Sequence, residues 1–149
     1  MVTVNPKSRI DAKQFIGSEY FNDISIQSIV FLSTLLEIDN SKKAAFFKGF
    51  FTVVGNFTPR IIESKILPPI LQELKNEIQI PFLLPIIMEL SKPLIPRKFQ
   101  TMIFPHILPL LQAYESPNNA FLFSNLSMIL SKLSPTLFEQ SNLFIFIFF

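Results

Sequence analysis

The chain has 149 residues, 49% of them hydrophobic and only 16% charged, with a net charge of +2 and no cysteine. That length carries one domain with a sizeable core, and a charged fraction below the roughly 25% of typical soluble domains argues against disorder and for burial on many faces. The charge is too even to point to nucleic acid, and the lack of thiols excludes a disulfide frame, a thiolate metal site and a cysteine nucleophile.

The first 14 residues already carry Lys7, Arg9, Asp11 and Lys13, so no apolar run of a secretory signal leads the chain. Residues 1–23 read as a turn, a short helix over 10–17 ended by Gly17, and a loop. A helix is expected over 24–38, capped by Asp23, whose carboxylate can accept from the first-turn N–H groups. Its apolar face takes Ile24, Phe31 and Leu35, with Ile29, Leu32 and Leu36 beside them, and turns Ser25, Ser28 and Thr34 away. Asp39-Asn40-Ser41 breaks this helix and caps the next, over about 42–57. There Ala45, Phe46, Phe50, Val53, Val54 and Phe57 form the stripe, and Lys42, Lys43 and Lys48 the wet side. Gly49 and Gly55 weaken it by about 1 kcal/mol each relative to Ala; they either allow a close helix approach or are merely tolerated.

Thr58-Pro59 is a helix start, with Pro59 where its missing N–H costs nothing. Pro68-Pro69 should then break or bend the helix, which resumes through Leu74. A helix over 78–91 follows, closed by Pro93 and Pro96. Residues 97–114 hold Pro105 and Pro109, and Pro117 with two Asn begins the helix over 120–133. Eleven of the twelve prolines lie from Pro59 onward, among Ile, Leu and Phe, which suits a bent helical array better than an exposed proline-rich ligand. The uncharged runs 99–114 and 116–131 fall short of the roughly 20 apolar residues of a membrane span.

The plan of the chain is a repeat. Ile66-Leu67-Pro68-Pro69-Ile70-Leu71-Gln72-Glu73-Leu74 recurs as Ile103-Phe104-Pro105-His106-Ile107-Leu108-Pro109-Leu110-Leu111, where 105 minus 68 gives 37. Met88-Glu89-Leu90-Ser91-Lys92 recurs as Met128-Ile129-Leu130-Ser131-Lys132, where 128 minus 88 gives 40. Two helix-sized segments per 37 to 40 residues fit an α-solenoid of the HEAT type, in which stacking buries the face that one hairpin cannot bury alone. The expected fold is all-α: a HEAT/armadillo-like α-solenoid of helical hairpins, a right-handed array of about six to eight helices.

No catalytic chemistry is visible. His106 is the only histidine and has no partner set for a metal or proton relay. Glycines 17, 49 and 55 are isolated and make no phosphate loop. Glu73 and Glu77 read as one solvated face. The 18 phenylalanines lack an interleaved basic stripe, so they read as core rather than as base-stacking platforms. Lys42, Lys43 and Lys48 read as solvation, with contact to anionic lipid the alternative. No catalytic, cofactor-binding or metal site is assigned, and no cofactor is expected.

Tyr20-Phe21-Asn22-Asp23, then Asp39-Asn40-Ser41-Lys42-Lys43-Ala44-Ala45-Phe46-Phe47-Lys48-Gly49, Pro59-Arg60, Lys65-Ile66-Leu67-Pro68 and Ile80-Pro81-Phe82-Leu83-Leu84-Pro85 occur in order. Together they resemble the SCYL pseudokinases, in particular the coated-vesicle-associated branch, over roughly residues 5–134. The resemblance implies a degenerate kinase-like domain followed directly by a HEAT solenoid. Asn5-Pro6-Lys7-Ser8-Arg9 with Ala12 and Phe21 is similar to the last helices of a kinase C-lobe, in which Arg9 matches the arginine that pairs with an activation-segment glutamate. Upstream kinase elements are absent, so the resemblance implies no ATP binding and no enzyme activity here. The implied division is residues 1–23 as the C-lobe remnant and linker, 24–141 as HEAT-like repeats, and 142–149 as an apolar tail where a truncated chain ends. The implied role is a cytoplasmic protein–protein scaffold in clathrin, Golgi and endosome vesicle traffic, with coat or adaptor proteins as partners and peripheral membrane association permitted. A related branch implies the alternative, an adaptor in transfer-RNA export.

Overall fold

The computed structural model describes residues 13–14, 23–113 and 117–143. The expected C-lobe remnant over 1–23 lies almost wholly outside them, as does the tail from 144 onward.

Asp23 opens the first helix, α1 (Ile24–Ser33), by accepting a 2.7 Å hydrogen bond from the Ser25 amide. The helix ends early, at Thr34, whose hydroxyl and amide both turn back to the Phe31 carbonyl, the local competition that Ser and Thr offer a helix. A 3₁₀ turn, Leu35–Glu37, carries the chain into α2 (Asn40–Val53), which tightens into a second 3₁₀ turn at Val54–Asn56. Asp39 and Thr58 hold the N-cap positions expected of them, with extended backbones, but neither side chain makes a cap bond.

The next rod has three parts: α3 (Pro59–Ile61), a π turn at Ile62–Ile66, and α4 (Leu67–Glu73). After a 3₁₀ turn at Glu77–Gln79 comes α5 (Ile80–Ser91). The first rod is then rebuilt 37 residues on, as α6 (Pro96–Lys98), a π turn at Phe99–Ile103 and α7 (Phe104–Gln112). Prolines set the π turns. Pro68 and Pro105 have no N–H, and in a regular helix their rings would strike the carbonyls of Ser64 and Thr101. Instead Leu67 and Phe104 donate five residues back, to Ile62 and Phe99. The widened turn admits the ring, so the break or bend expected before Pro68 takes the form of a π turn and the rod stays continuous. Even the hydroxyls repeat: Ser64 donates to the Arg60 carbonyl at 2.8 Å and Thr101 to the Arg97 carbonyl at 3.0 Å.

The helix expected over 120–133 starts earlier and is split, as α8 (Pro117–Ser124) and α9 (Leu126–Ser131). Asn125 splits it by spending its side-chain amide on the Phe121 carbonyl, 2.9 Å away. A further helix, α10 (Pro135–Gln140), lies beyond the expected set. Its signal is the same as at Thr58-Pro59: Ser134 accepts from the Leu137 amide, and Pro135 fills the first turn.

The helices form two layers. α1 packs on α4 and the first π turn, while α2 packs on α5 and α5 on α8; α4–α5 and α7–α8 join the layers. The result is an all-α stack of antiparallel hairpins, a HEAT-like helical repeat, with no strand among the described residues. The core obeys both repeat offsets. Ile62, Ile66, Leu67, Ile70 and Leu74 are buried, and so are Phe99, Ile103, Phe104, Ile107 and Leu111, each 37 further on. In the second layer Phe47 and Phe50 match Ile87 and Leu90 at 40. Eight of the twelve residues of α5 are buried, which makes it the strut between its neighbours.

Two faces differ from expectation. α1 and the 3₁₀ turn after it point Ser28, Leu32 and Leu35 inward and leave Ile24 and Leu36 mostly exposed; Ser28 satisfies its hydroxyl on the Ile24 carbonyl at 2.6 Å, so it is buried without an orphaned group. α2 buries Phe47 rather than Ala45, because it must serve α5 as well as α1. A Cβ at Gly49 or Gly55 would meet nothing within 4 Å, so neither glycine serves a close approach. Leu143 is buried in the core just past Asn142, which has a φ of 54°.

Candidate interaction surface

Stacked hairpins leave grooves where consecutive helices of one layer diverge. Between α2 and α5 a groove of about 270 Å³ is lined by Phe47, Lys48, Phe51, Pro81, Phe82 and Pro85. Pro81 and Pro85 lie one turn apart on α5 and form a flat apolar wall beside Phe82. Lys48 holds its ammonium 5.4 Å from the Phe82 ring centre, a cation–π contact that keeps a positive charge at the groove. Phe51 is 45% exposed there. A second groove, about 420 Å³, lies in the other layer between α1 and the first rod, bordered by Val30, Leu36, Lys65, Pro68 and Pro69. A third, about 380 Å³, opens inside the α1–α2 hairpin, floored by Phe46, which stacks on Phe31 at 3.9 Å and on Phe50 at 5.3 Å.

Polar groups inside the stack join the repeats. Lys43, read from the sequence as solvated, is buried, and its ammonium meets the Glu73 carboxylate at 2.8 Å. Glu73 is therefore not on a solvated face with Glu77; it also accepts from Asn76 at 2.8 Å. Asn76 donates to the Asn40 side chain and Gln79 to the Asn40 carbonyl, at 2.8 and 2.9 Å. At the next junction Lys132 reaches back to the end of α5 and donates to the carbonyls of Ser91 and Leu94, both at 2.6 Å, and of Lys92 at 3.2 Å. Lysine suits the orphan carbonyls of a helix C-terminus. Burial pushes the Lys132 pKa down.

Sequence reasoning missed Lys43, Glu73, Gln79 and Lys132 as partners. One signal was present for the first pair: at the two offsets, Lys43 stands where Leu83 stands and Glu73 where Leu110 stands. Two opposite charges at apolar repeat positions imply a buried pair. His106 is exposed, with Nδ1 3.0 Å from the Met102 carbonyl. Lys42 is exposed, 3.9 Å from Asp39. Among the described residues no three metal-ligating side chains cluster, and no helix is long and apolar enough to cross a membrane.

The chain is 27% identical over 142 residues to SCY1-like protein 2 of human and of mouse, an alignment that covers 95% of it. It is 33% identical over 115 residues, 77% of its length, to the protein kinase domain-containing protein ppk32 of fission yeast. The chain belongs to the SCYL-type family. It spans about 15% of the length of each of these relatives. No family model and no solved structure matches it. The SCYL alignment runs through the repeated rods and the grooves between them, so the surface described above lies within the matched part of the family.

Proposed function

We propose that this SCYL segment is a non-catalytic HEAT-repeat scaffold that holds protein partners in vesicle traffic between Golgi, endosomes and clathrin-coated membranes, in the cytoplasm. Residues 1–23 are then the edge of the kinase-like domain, 24–141 the solenoid repeats, and 142–149 an apolar run that follows them. The observation that supports the scaffold reading best is the groove of α2 and α5. It brings the exposed Phe51 and Pro81 together with the half-buried Phe82 and Pro85 next to Lys48, and aromatic side chains, phenylalanine included, are enriched at protein interfaces.

The test is affinity capture with the immobilised chain, offered purified clathrin, purified adaptor complexes and bulk transfer RNA side by side. Capture of coat or adaptor protein, weakened by Phe82→Glu with helix content unchanged, supports the reading. Retention of transfer RNA or export factors without coat proteins overturns it in favour of nucleocytoplasmic transport.

A further inference from the structure

The loop between α5 and α6, Lys92-Pro93-Leu94-Ile95, runs into the Pro96-Arg97-Lys98 of α6, and it projects an apolar side chain between basic ones. Leu94 is buried and anchors the loop, while Ile95 is 59% exposed. Lys132 fixes the loop backbone through the Ser91, Lys92 and Leu94 carbonyls. Ile95 occupies the N-cap of α6, a position where isoleucine is among the poorest choices and where the other repeats place Thr58 and Ser134. Neither core packing nor capping therefore accounts for Ile95.

The surroundings are basic. Glu63 and Lys98 pair at 3.0 Å, which ties the π turn of the first rod, next to Arg60 in α3, to the first turn of the second, which carries Arg97. Lys92 pairs with Glu89 at 2.6 Å. Among the described residues Arg60 and Arg97 have no acidic partner, and with Lys132 they leave the edge a net positive charge. The three grooves are lined by other residues. A projecting isoleucine flanked by cations does not match a partner that needs a concave seat; it matches a soft, anionic, apolar-backed surface, which is the headgroup layer of an anionic bilayer.

We propose that this edge of the solenoid contacts anionic lipid, with Ile95 inserted at the headgroup level and Arg60 and Arg97 against the lipid charges. The proposal stands on the loop geometry and does not need the coat-protein reading.

Flotation of the full chain with phosphatidylcholine–phosphatidylserine vesicles, against phosphatidylcholine alone, tests it. Binding to the mixed vesicles only, weakened by salt, is expected. Arg97→Glu should lower partitioning on the order of tenfold, since each basic residue near such a surface is worth about fivefold. Ile95→Thr is the sharper variant: threonine is the better N-cap, so thermal stability should hold or rise while partitioning falls roughly tenfold. Equal binding to both vesicle types, no binding to either, or an Ile95→Thr chain that floats like the parent overturns the proposal. So does Arg97-dependent capture of soluble polyglutamate without flotation, which would make the edge a seat for acidic protein segments.

Discussion

The Lys43 ammonium and the Glu73 carboxylate meet at 2.8 Å with both side chains buried, joining α2 to α4 across two repeats. Desolvating two charges offsets most of their attraction, so such a pair fixes register more than it stabilises. Breaking it is another matter. Lys43→Met leaves a buried carboxylate with only Asn76 to bond it and should destabilise the chain by about 3–5 kcal/mol in urea unfolding. The double variant Lys43→Leu with Glu73→Leu, which restores the residue types of the next repeat, should be no less stable than the parent. If the double variant is as damaged as the single, the pair is a net stabiliser rather than a device for register.

Gly49 gives the opposite expectation. It lies inside α2 at an ordinary helical φ, with open space where an alanine Cβ would stand. Gly49→Ala should raise stability by about 0.5–1 kcal/mol through the lost backbone entropy of glycine. A lower melting temperature would mean that something packs where the open groove now is.

Lys132 tests the junction between α5 and its successor. Its ammonium satisfies carbonyls that the end of α5 leaves open. Lys132→Met keeps the stem and removes the donors, so unfolding should come easier by about 1–3 kcal/mol. Amide exchange should quicken first at the end of α5; an unchanged rate there would sink the capping role.

Asp23 brings a pH dependence. The Ser25 amide, then the Ser25 hydroxyl, with smaller help from the amide of Ile26, hold its carboxyl below the usual aspartate value. A carboxyl with a depressed folded pKa contributes stability above its unfolded pKa and loses it as the pH falls through the folded one. The start of α1 should therefore loosen in acid, below about pH 4, where an unfolded aspartate protonates. Asp23→Asn still caps but does not titrate, and should flatten that acid limb in Ser25 amide exchange. An identical acid limb in the variant would place the titration elsewhere.

The C-terminal end supplies a last expectation. Leu143 is buried and the Gln112 side chain donates to the Ser141 carbonyl at 3.1 Å, so the packed chain extends at least to residue 143. Residues 144–149 are an uncharged Ile/Phe run of the kind that self-associates as β-structure. A chain ending at Leu143 should keep its circular-dichroism spectrum and remain monomeric at higher concentration. Cooperative loss of helix would make the run a structural cap.

The sequence by itself determined the all-α class, the repeat and most helix starts. Those are local matters: Pro59, Pro117 and Asp23 act on the turn that contains them, and apolar periodicity is written in the order of residues. It also showed where the two rods correspond, because the same prolines recur 37 apart. Tertiary structure decided which faces are inside. Ser28 is buried and Ile24 exposed because α1 packs on α4 and the first π turn as well as on α2, and one helix in isolation cannot reveal where its second neighbour stands. The same holds for Lys43, whose charge reads as solvated until Glu73, thirty residues on, is brought to it. Whether a proline ends a helix or widens it into a π turn was likewise settled by the core: Ile62, Ile66 and Leu67 on one side of the ring and Ile70 and Leu74 on the other are all buried in one stack, and that shared burial holds the rod together across Pro68.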